Sequence, residues 1–480
     1  MIVMKFGGTS VEDAPAIERV AEIVRNRSGE DPVVVVSALA RVTDQLLSAG
    51  QAAATGNTDI ALESAQALRQ RHRRTASELL SNGHFSKLQP VLESHFDTLQ
   101  ELLAQVAALR ELSLRKTDCL LSFGELLSSA IVNAVLASHG LASEWVDARE
   151  CIVTDASHTK AAVLFEDTRE RLHARLRPVI ERHSIPILGG FIGAAPDGTP
   201  TTIGRGGSDY SASVIGAALD ADRIEIWTDV PGLMTTDPNL CPEAELINEI
   251  SFEEAAELAS FGAKVLHPAT LLPAIEKNIP VFVLNSRHPA GRGTCIRTHV
   301  ARNGHPVRAI AAKRDITIVN VSGERAWIPH GFLREVLAVF DRHECQVDIV
   351  ASSQVSISLA VESASAAAEL VPDLERFAHV SCEPKQAIVS VVGENLRGRQ
   401  GIAARVFGSV AAAGVNVRMI SQGASEMNIT FVIQEEDVPR AVRRLHSDLF
   451  PENAEGWRAS VSVAGESSAQ HLLQLQADES

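Results

Sequence analysis

No two of the six cysteines, Cys119, Cys151, Cys241, Cys295, Cys345 and Cys382, form a C-x-x-C pair. Scattered singles argue against a disulfide framework or a structural zinc site, and they suit a reducing cytosol. Also missing is any apolar run approaching the roughly 20 residues that span a bilayer. The opening Met1-Ile2-Val3-Met4-Lys5-Phe6-Gly7 is interrupted too soon for a signal peptide. A cytoplasmic protein with no membrane partner is expected. Positive charge is in deficit: 44 Lys plus Arg against 60 Asp plus Glu leave a net charge of −16. That field repels polyphosphate backbones and argues against a nucleic-acid partner. A local site can still oppose it and hold a small anion.

What is present is ordinary for a globular chain. The 480 residues are 45% apolar and 22% charged, enough for about three domains with a large core. Short β-branched runs at 3–6, 33–36, 185–188, 224–227 and 281–284 each precede a turn and a helical stretch. They predict a largely parallel sheet with helices on both faces. Ser10 reads as the N-cap of the first helix, with Asp13 three residues on. Residues 44–115 are rich in Ala, Leu, Gln, Glu and Arg and read as a helical insertion. The basic band Arg69, Arg71, His72, Arg73 and Arg74 within it reads as a solvated helix face. In the last third, 331–337 aligns with 401–407 at an offset of 70 residues, each flanked by strands. That repeat predicts two small α+β modules.

Three glycine-rich sites carry chemistry. Lys5-Phe6-Gly7-Gly8-Thr9-Ser10 follows a strand and opens a helix, so backbone N–H groups and Lys5 can meet an anion. It is not the P-loop pattern. Gly204-Arg205-Gly206-Gly207-Ser208-Asp209 crowds an Arg and an Asp into a flexible loop before a helix. Arg205 can hold a carboxylate bidentately, and Asp209 can position a Lys. Thr228-Asp229-Val230-Pro231-Gly232 follows a strand end, where ligands bind in open α/β sheets. His267 lacks a second His at ligand spacing and reads as a structural hydrogen-bonding group.

These motifs, with Phe123-Gly124-Glu125 and Phe261-Gly262-Ala263-Lys264-Val265-Leu266-His267-Pro268, occur in the order found in aspartate kinases. The resemblance spans roughly residues 2–460 and is nearest the monofunctional, lysine-sensitive branch. It implies an α/β fold: an amino-acid-kinase domain over 1–300 with the insertion at 44–115, and a linker at 301–314. Two ferredoxin-like ACT modules follow at 315–385 and 386–464, then a tail at 465–480. It implies ATP-dependent phosphorylation of the β-carboxylate of L-aspartate to 4-phospho-L-aspartate, opening lysine and threonine synthesis. Lys5, with Gly7 and Gly8, would neutralise the transferred phosphoryl group, and Asp209 would hold Lys5. Arg205 and Ser208 would clamp a substrate carboxylate, Glu125 would meet its ammonium, and Thr43 and Phe191 would stand beside it. Thr228, Asp229, Met234, Lys264 and Val265 would face ATP. Mg²⁺ would ride on phosphate oxygens without a protein metal site. Gly331, Phe332, Leu333, Asp348, Ser352 and Ser353 would receive an amino-acid effector. The ACT modules would pair two subunits into a homodimer or higher homo-oligomer.

The sequence departs from that pattern in places. Met234 stands where Tyr is usual and Asn239 where Arg is usual, both on the nucleotide side. Ala326, Trp327, Ile328, Pro329 and His330 replace a stretch that usually offers Met, His and Ser, and Gln354 replaces Glu. Trp327 is bulky and Pro329 lacks an N–H, so lysine is expected to inhibit poorly. Two rival readings stand beside the main one. One is a kinase of the same fold acting on glutamate or an N-acetylated amino acid, which Glu125 disfavours. The other is an amino-acid-binding regulator with a vestigial kinase half, which Lys5, Arg205 and Asp209 disfavour.

Overall fold

The computed structural model describes residues 1–204, 206–262, 268–300, 306–323, 331–423 and 426–450. The chain forms two compact units. One comprises 1–233, 248–252 and 265–300, the other 234–247, 253–264 and 301–480.

The first unit is built on strands β1 (Ile2–Phe6), β2 (Pro32–Val36), β3 (Ser143–Trp145), β4 (Ile185–Gly189), β7 (Arg223–Thr228), β8 (Glu249–Ser251), β9 (Val281–Asn285) and β10 (Thr294–Arg297), with a side hairpin of β5 (Ile192–Ala194) and β6 (Pro200–Thr202). The sheet order is β3-β4-β2-β1-β7-β9-β10-β8. Every pairing is parallel except that of β9 with β10. The apolar sequences of β1 and β2 are buried along their whole length, as strands covered on both faces require. Lys5 is buried there too, a charge inside an otherwise apolar strand. The chain starts at β1 and builds outward to either side, so the carboxyl ends near β1 border the crevice such sheets use for ligands.

The first helix, α1 (Ala14–Arg25), is capped by Asp13, whose carboxylate accepts from the Ala16 N–H at 2.9 Å. Ser10, the expected cap, instead ends a short 3₁₀ turn, Gly8–Ser10, with its hydroxyl 2.8 Å from that of Ser286. The extra turn moves the cap three residues on.

Helices α2 (Val42–Ala54), α3 (Thr58–Leu79), α4 (Asn82–Leu109) and α5 (Leu114–Ser138) follow β2. Contrary to the sequence reading, α5 is long and apolar enough to cross a membrane, yet 78% of its apolar window is buried inside the protein. It is a core helix, and it carries Asp118 and Glu125 into the interior. The basic band is not a solvated face either. Arg69 pairs with Asp97 at 2.6 Å and Glu93 at 3.3 Å, and lies over the Phe96 ring. His72 is fully buried edge-on to Phe96, and burial pushes its pKa down to about 4. Arg69, His72 and Arg73 form the seam between α3 and α4, whereas Arg71 bonds the Ala40 and Glu12 carbonyls; Arg74, paired along its own helix with Glu78, points to solvent. Helices α6 (Ala148–Cys151), α7 (Phe165–Glu181), α8 (Gly207–Ala218), α9 (Phe252–Ser260) and α10 (Leu272–Glu276) complete the first 300 residues.

The second unit holds β11 (Val307–Ser322), α11 (Phe332–Arg342), β12 (Val347–Ser352), β13 (Ser356–Glu362), α12 (Ala364–Leu374), β14 (His379–Gly393), α13 (Ile402–Ala412), β15 (Met419–Ser421), β16 (Asn428–Gln434) and α14 (Val438–Leu449). Its six strands form one sheet in the order β12-β13-β11-β14-β16-β15. The two modules are nested rather than sequential. Val307 and Ile310 at the start of β11 pack with Val389, Val391, Val406 and Leu445. Val319 and Val321 at its end pack with Phe332, Val336, Leu359 and Leu370. The pairing register shifts between Lys313 and Ile316, where Asp315 takes φ +59°.

Residues 307–314 of the expected linker are therefore strand, and the expected boundary at 385/386 falls inside β14. The repeat itself is visible in the caps: Gly331 and Gly401 start α11 and α13 with φ of 90° and 83°. Only glycine takes that conformation without strain. Residues 234–247 and 253–262 also pack in this unit, although the sequence places them in the catalytic domain. Thr235 accepts from the Ile310 N–H at 2.7 Å, and its hydroxyl lies 2.9 Å from His446 Nε2. The expected tail at 465–480 lies outside the described residues.

Candidate active site

The carboxyl end of β1 delivers Lys5, whose Nζ lies 2.6 Å from Asp209 Oδ1. Asp209 stands in the first turn of α8, behind the left-handed N-cap Gly206 (φ 68°). A helix start favours a carboxylate there, and the carboxylate in turn fixes the ammonium. Opposite chain elements supply a second carboxylate. Glu125, midway along α5, is 3% exposed. Its Oε1 accepts from the Ala38 N–H at 3.1 Å, whereas its Oε2 has no partner among the described residues. Burial pushes the carboxyl up to about 8, against the opposing pull of that N–H and of the Lys5 ammonium. A buried acceptor without a donor is costly, and a ligand carrying an ammonium would satisfy it.

Close backbone approach builds this corner. A Cβ on Gly189, at the end of β4, would meet Glu125 Cβ at 2.7 Å. A Cβ on Gly207 would meet the Phe191 ring at 2.7 Å. Phe191 itself holds φ +64°, with its N–H donating to Ser211 Oγ at 3.0 Å. Glycine at both places lets α5, α8 and the loop after β4 close on one cavity of about 390 Å³.

That cavity gathers Lys5, Gly8, Thr43, Glu125, Phe191, Ser208 and Asp209 from the residues singled out in the sequence. Gly7 is a correction. Its N–H donates to the Trp227 carbonyl at 3.0 Å, so it closes the β1–β7 junction and does not face an anion. Thr228 ends β7 and Asp229 follows it; the Thr228 hydroxyl lies 3.2 Å from Asp229 Oδ1, and the Thr228 carbonyl accepts from Ser286. Met234 bridges to Leu246 in the second unit. Arg205, Lys264, Val265 and His267 lie outside the described residues, as do Ala326, Trp327, Ile328, Pro329 and His330.

Sequence reasoning missed Ala38, Arg41 and Asp44, which also line the cavity. Ala38 acts through its backbone and leaves no side-chain signal. Arg41 and Asp44 flank Thr43, and that adjacency was the available clue.

The expected effector residues fall in the second unit and are partly engaged already. Phe332 is core, while Leu333 is exposed. Ser353 folds the turn between β12 and β13, accepting from the Ser356 N–H at 3.1 Å, and Ser352 ends β12. Asp348 is bound by Lys313, with Nζ at 2.9 and 2.8 Å from its two oxygens and 2.7 Å from Glu362. Burial raises the Asp348 carboxyl, opposed by that ammonium. Burial works against the charge of Lys313, but the two carboxylates outweigh it and raise its pKa. Lys313 escaped the sequence reading because its segment was taken for a linker.

Residues 1–285 match the amino acid kinase family, and residues 389–449 match an ACT domain. The chain is 36% identical over 463 residues to "Aspartokinase 2, chloroplastic" of Arabidopsis thaliana, covering 93% of this chain and 84% of that one. It is 36% identical over 466 residues to "Lysine-sensitive aspartokinase 3" of Escherichia coli, covering 94% and 99%. The crystal structure of E. coli aspartokinase III in complex with aspartate and ADP (R-state) superposes with a TM-score of 0.79 at 35% identity. The match covers 94% of this chain and all of that one. The complex of the E. coli enzyme with lysine and aspartate (T-state) gives a TM-score of 0.80, covering 94% and 99%.

Proposed function

The chain belongs to the aspartokinases, within the amino acid kinase family, and from that premise we propose how its own residues divide the reaction. The activity is ATP-dependent phosphorylation of the β-carboxylate of L-aspartate to 4-phospho-L-aspartate, the first step of the aspartate-derived amino-acid pathway. The attacking carboxylate is already ionised near neutral pH, so no general base is needed. Its oxygen bonds to the γ-phosphorus as the bond to the β-phosphate oxygen breaks, releasing ADP. Such transfer is governed by positioning and charge neutralisation.

The observation that carries the assignment is two groups in one cavity: Lys5 held by Asp209 at 2.6 Å, and the Glu125 carboxyl with one buried oxygen unpartnered among the described residues. Lys5 meets the transferred phosphoryl group, with Gly8 beside it. Glu125 receives the substrate ammonium. Thr43, Phe191 and Ser208 wall the aspartate, and Arg205 clamps its α-carboxylate, a role resting on the motif. Thr228, Asp229, Met234, Lys264 and Val265 serve the nucleotide on the same ground. Mg²⁺ arrives on the phosphate oxygens of ATP, the ligands this hard ion prefers. The ion supplies charge neutralisation when bound.

The ACT region makes the enzyme subject to allosteric control. In this chain the effector does not deliver its ammonium to Asp348 unless it displaces Lys313. Lysine is therefore a weak effector here, and its place in a relative's complex does not transfer unchanged. Exposed Leu333, Leu337 and Val350 in the first module support a homodimer or higher homo-oligomer paired through the ACT modules. The six free cysteines fit a cytoplasmic setting. An assay with ATP and Mg²⁺, trapping the acyl phosphate with hydroxylamine, tests the assignment. Aspartate turns over, whereas glutamate and N-acetylaspartate do not. Turnover of N-acetylaspartate as fast as aspartate would remove Glu125 from its role.

A further inference from the structure

Arg71, on α3, has no part in the reaction as described, yet its guanidinium joins two loops of the active site. Nη1 donates to the Ala40 carbonyl at 2.9 Å and Nη2 to the Glu12 carbonyl at 3.0 Å. Ala40 belongs to the loop after β2, which supplies the Ala38 N–H to Glu125. Glu12 follows the turn Gly8–Ser10, and Gly8 lines the cavity. One planar fork thus spans the phosphoryl side and the aspartate side of the same site.

The Ala40 carbonyl needs such an anchor. The next residue, Arg41, lines the cavity and starts α2 with φ +67°, a region that a side chain as large as Arg seldom adopts. Burial lowers the Arg71 pKa and the nearby Arg41 charge adds to that, while the Glu12 and Asp13 carboxylates oppose it. Its hydrogen bonds go to loop carbonyls rather than to carboxylates, so the guanidinium ties backbone to backbone.

We propose that Arg71 is a positioning residue for aspartate. It lets the helical insertion fix the loop at 37–41, and through Ala38 it sets the Glu125 carboxylate. The inference rests on the reading of Glu125 as the ammonium receptor. Lys could reach one carbonyl but has no fork.

The test compares R71M, R71K, E125Q and R74M in the full chain. Arg74 lies on the same helix, mostly exposed and paired only with Glu78. R71M should raise the aspartate KM about tenfold or more, since small misplacements cost this much. The ATP KM should stay within about twofold. R71K should fall between, and R74M should match the parent. The acid limb of kcat/KM for aspartate should also move to higher pH in R71M. The Ala38 N–H holds the Glu125 carboxyl down, so loosening it lets the carboxyl rise. Among the described residues, the other charged groups facing Glu125 across the cavity are Lys5 of β1, Asp209 of α8, and Arg41 and Asp44 at the start of α2; R71M removes none of them, and of these Arg41 alone lies in the loop that it loosens. An aspartate KM and pH profile unchanged in R71M would overturn the inference, as would equal rises for both substrates accompanied by a lower Tm. If E125Q also keeps the parent aspartate KM, the reading of the cavity falls with it.

Discussion

On the proposed division of the work, Lys5 serves the phosphoryl group and Glu125, a titrating carboxyl, serves the aspartate ammonium; both line one cavity. Lys5→Ala removes the cation that Asp209 holds at 2.6 Å. Turnover should drop roughly 10²–10³-fold, the usual cost of one preorganised electrostatic contact, with circular dichroism unchanged. Near-parent turnover would take Lys5 out of the mechanism. Glu125 works through its protonation state. Its carboxyl titrates near 8 because it is buried, so the free enzyme carries that proton at neutral pH. Only the ionised form pairs with an ammonium. Aspartate kcat/KM should therefore climb as pH rises through about 8. Linkage runs the opposite way: with its pKa raised from 4.5 to about 8, the buried acid favours the free fold at low pH, and that stability is lost as pH rises through this window, where it must ionise.

At the scale of elements, much of the site was legible, because motif residues on strand ends and helix starts converge by topology. Lys5 lies next to the last residue of β1, Asp209 in the first turn of α8, and Glu125 midway along α5. Three kinds of feature were not legible. A backbone donor such as Ala38 has no type to recognise. The Gly7 N–H is consumed by the Trp227 carbonyl, a partner more than 200 residues away. The nesting of the modules depends on one long strand, β11, serving two cores, which no local pattern records. Gly189 offers an element-scale test. An added Cβ would lie 2.7 Å from Glu125 Cβ and 3.2 Å from its carbonyl oxygen, so β4 and α5 must part. Gly189→Ala should cost about 1–3 kcal/mol and raise the aspartate KM. Thermal melts with kinetics check it; an unchanged Tm and KM would mean that the contact is slack.

On the scale of the whole molecule, the second unit is tied together by residues drawn from far apart in the chain, and the proposed effector carboxylate already has an internal partner. Asp348 keeps Lys313 as its partner. An effector can act only by binding two states unequally, with a coupling of about 1–3 kcal/mol for a 5–150-fold effect. Lysine added alone should inhibit the parent weakly. Lys313→Met leaves Asp348 without its ammonium, which should lower stability by about 1–3 kcal/mol and make lysine a stronger inhibitor. Titration of activity with lysine and threonine, singly and together, reads this out. Micromolar inhibition of the parent by lysine would show that Lys313 is readily displaced.

The central claim is that aspartate enters by handing its ammonium to a carboxyl that is protonated in the free site. Calorimetric titration of aspartate near neutral pH, in buffers of differing ionisation heat, counts the protons exchanged. The account predicts release of close to one proton by the parent enzyme, falling to none once pH exceeds the Glu125 value of about 8, and none in Glu125→Gln. Tight aspartate binding by the parent with no proton released would contradict it.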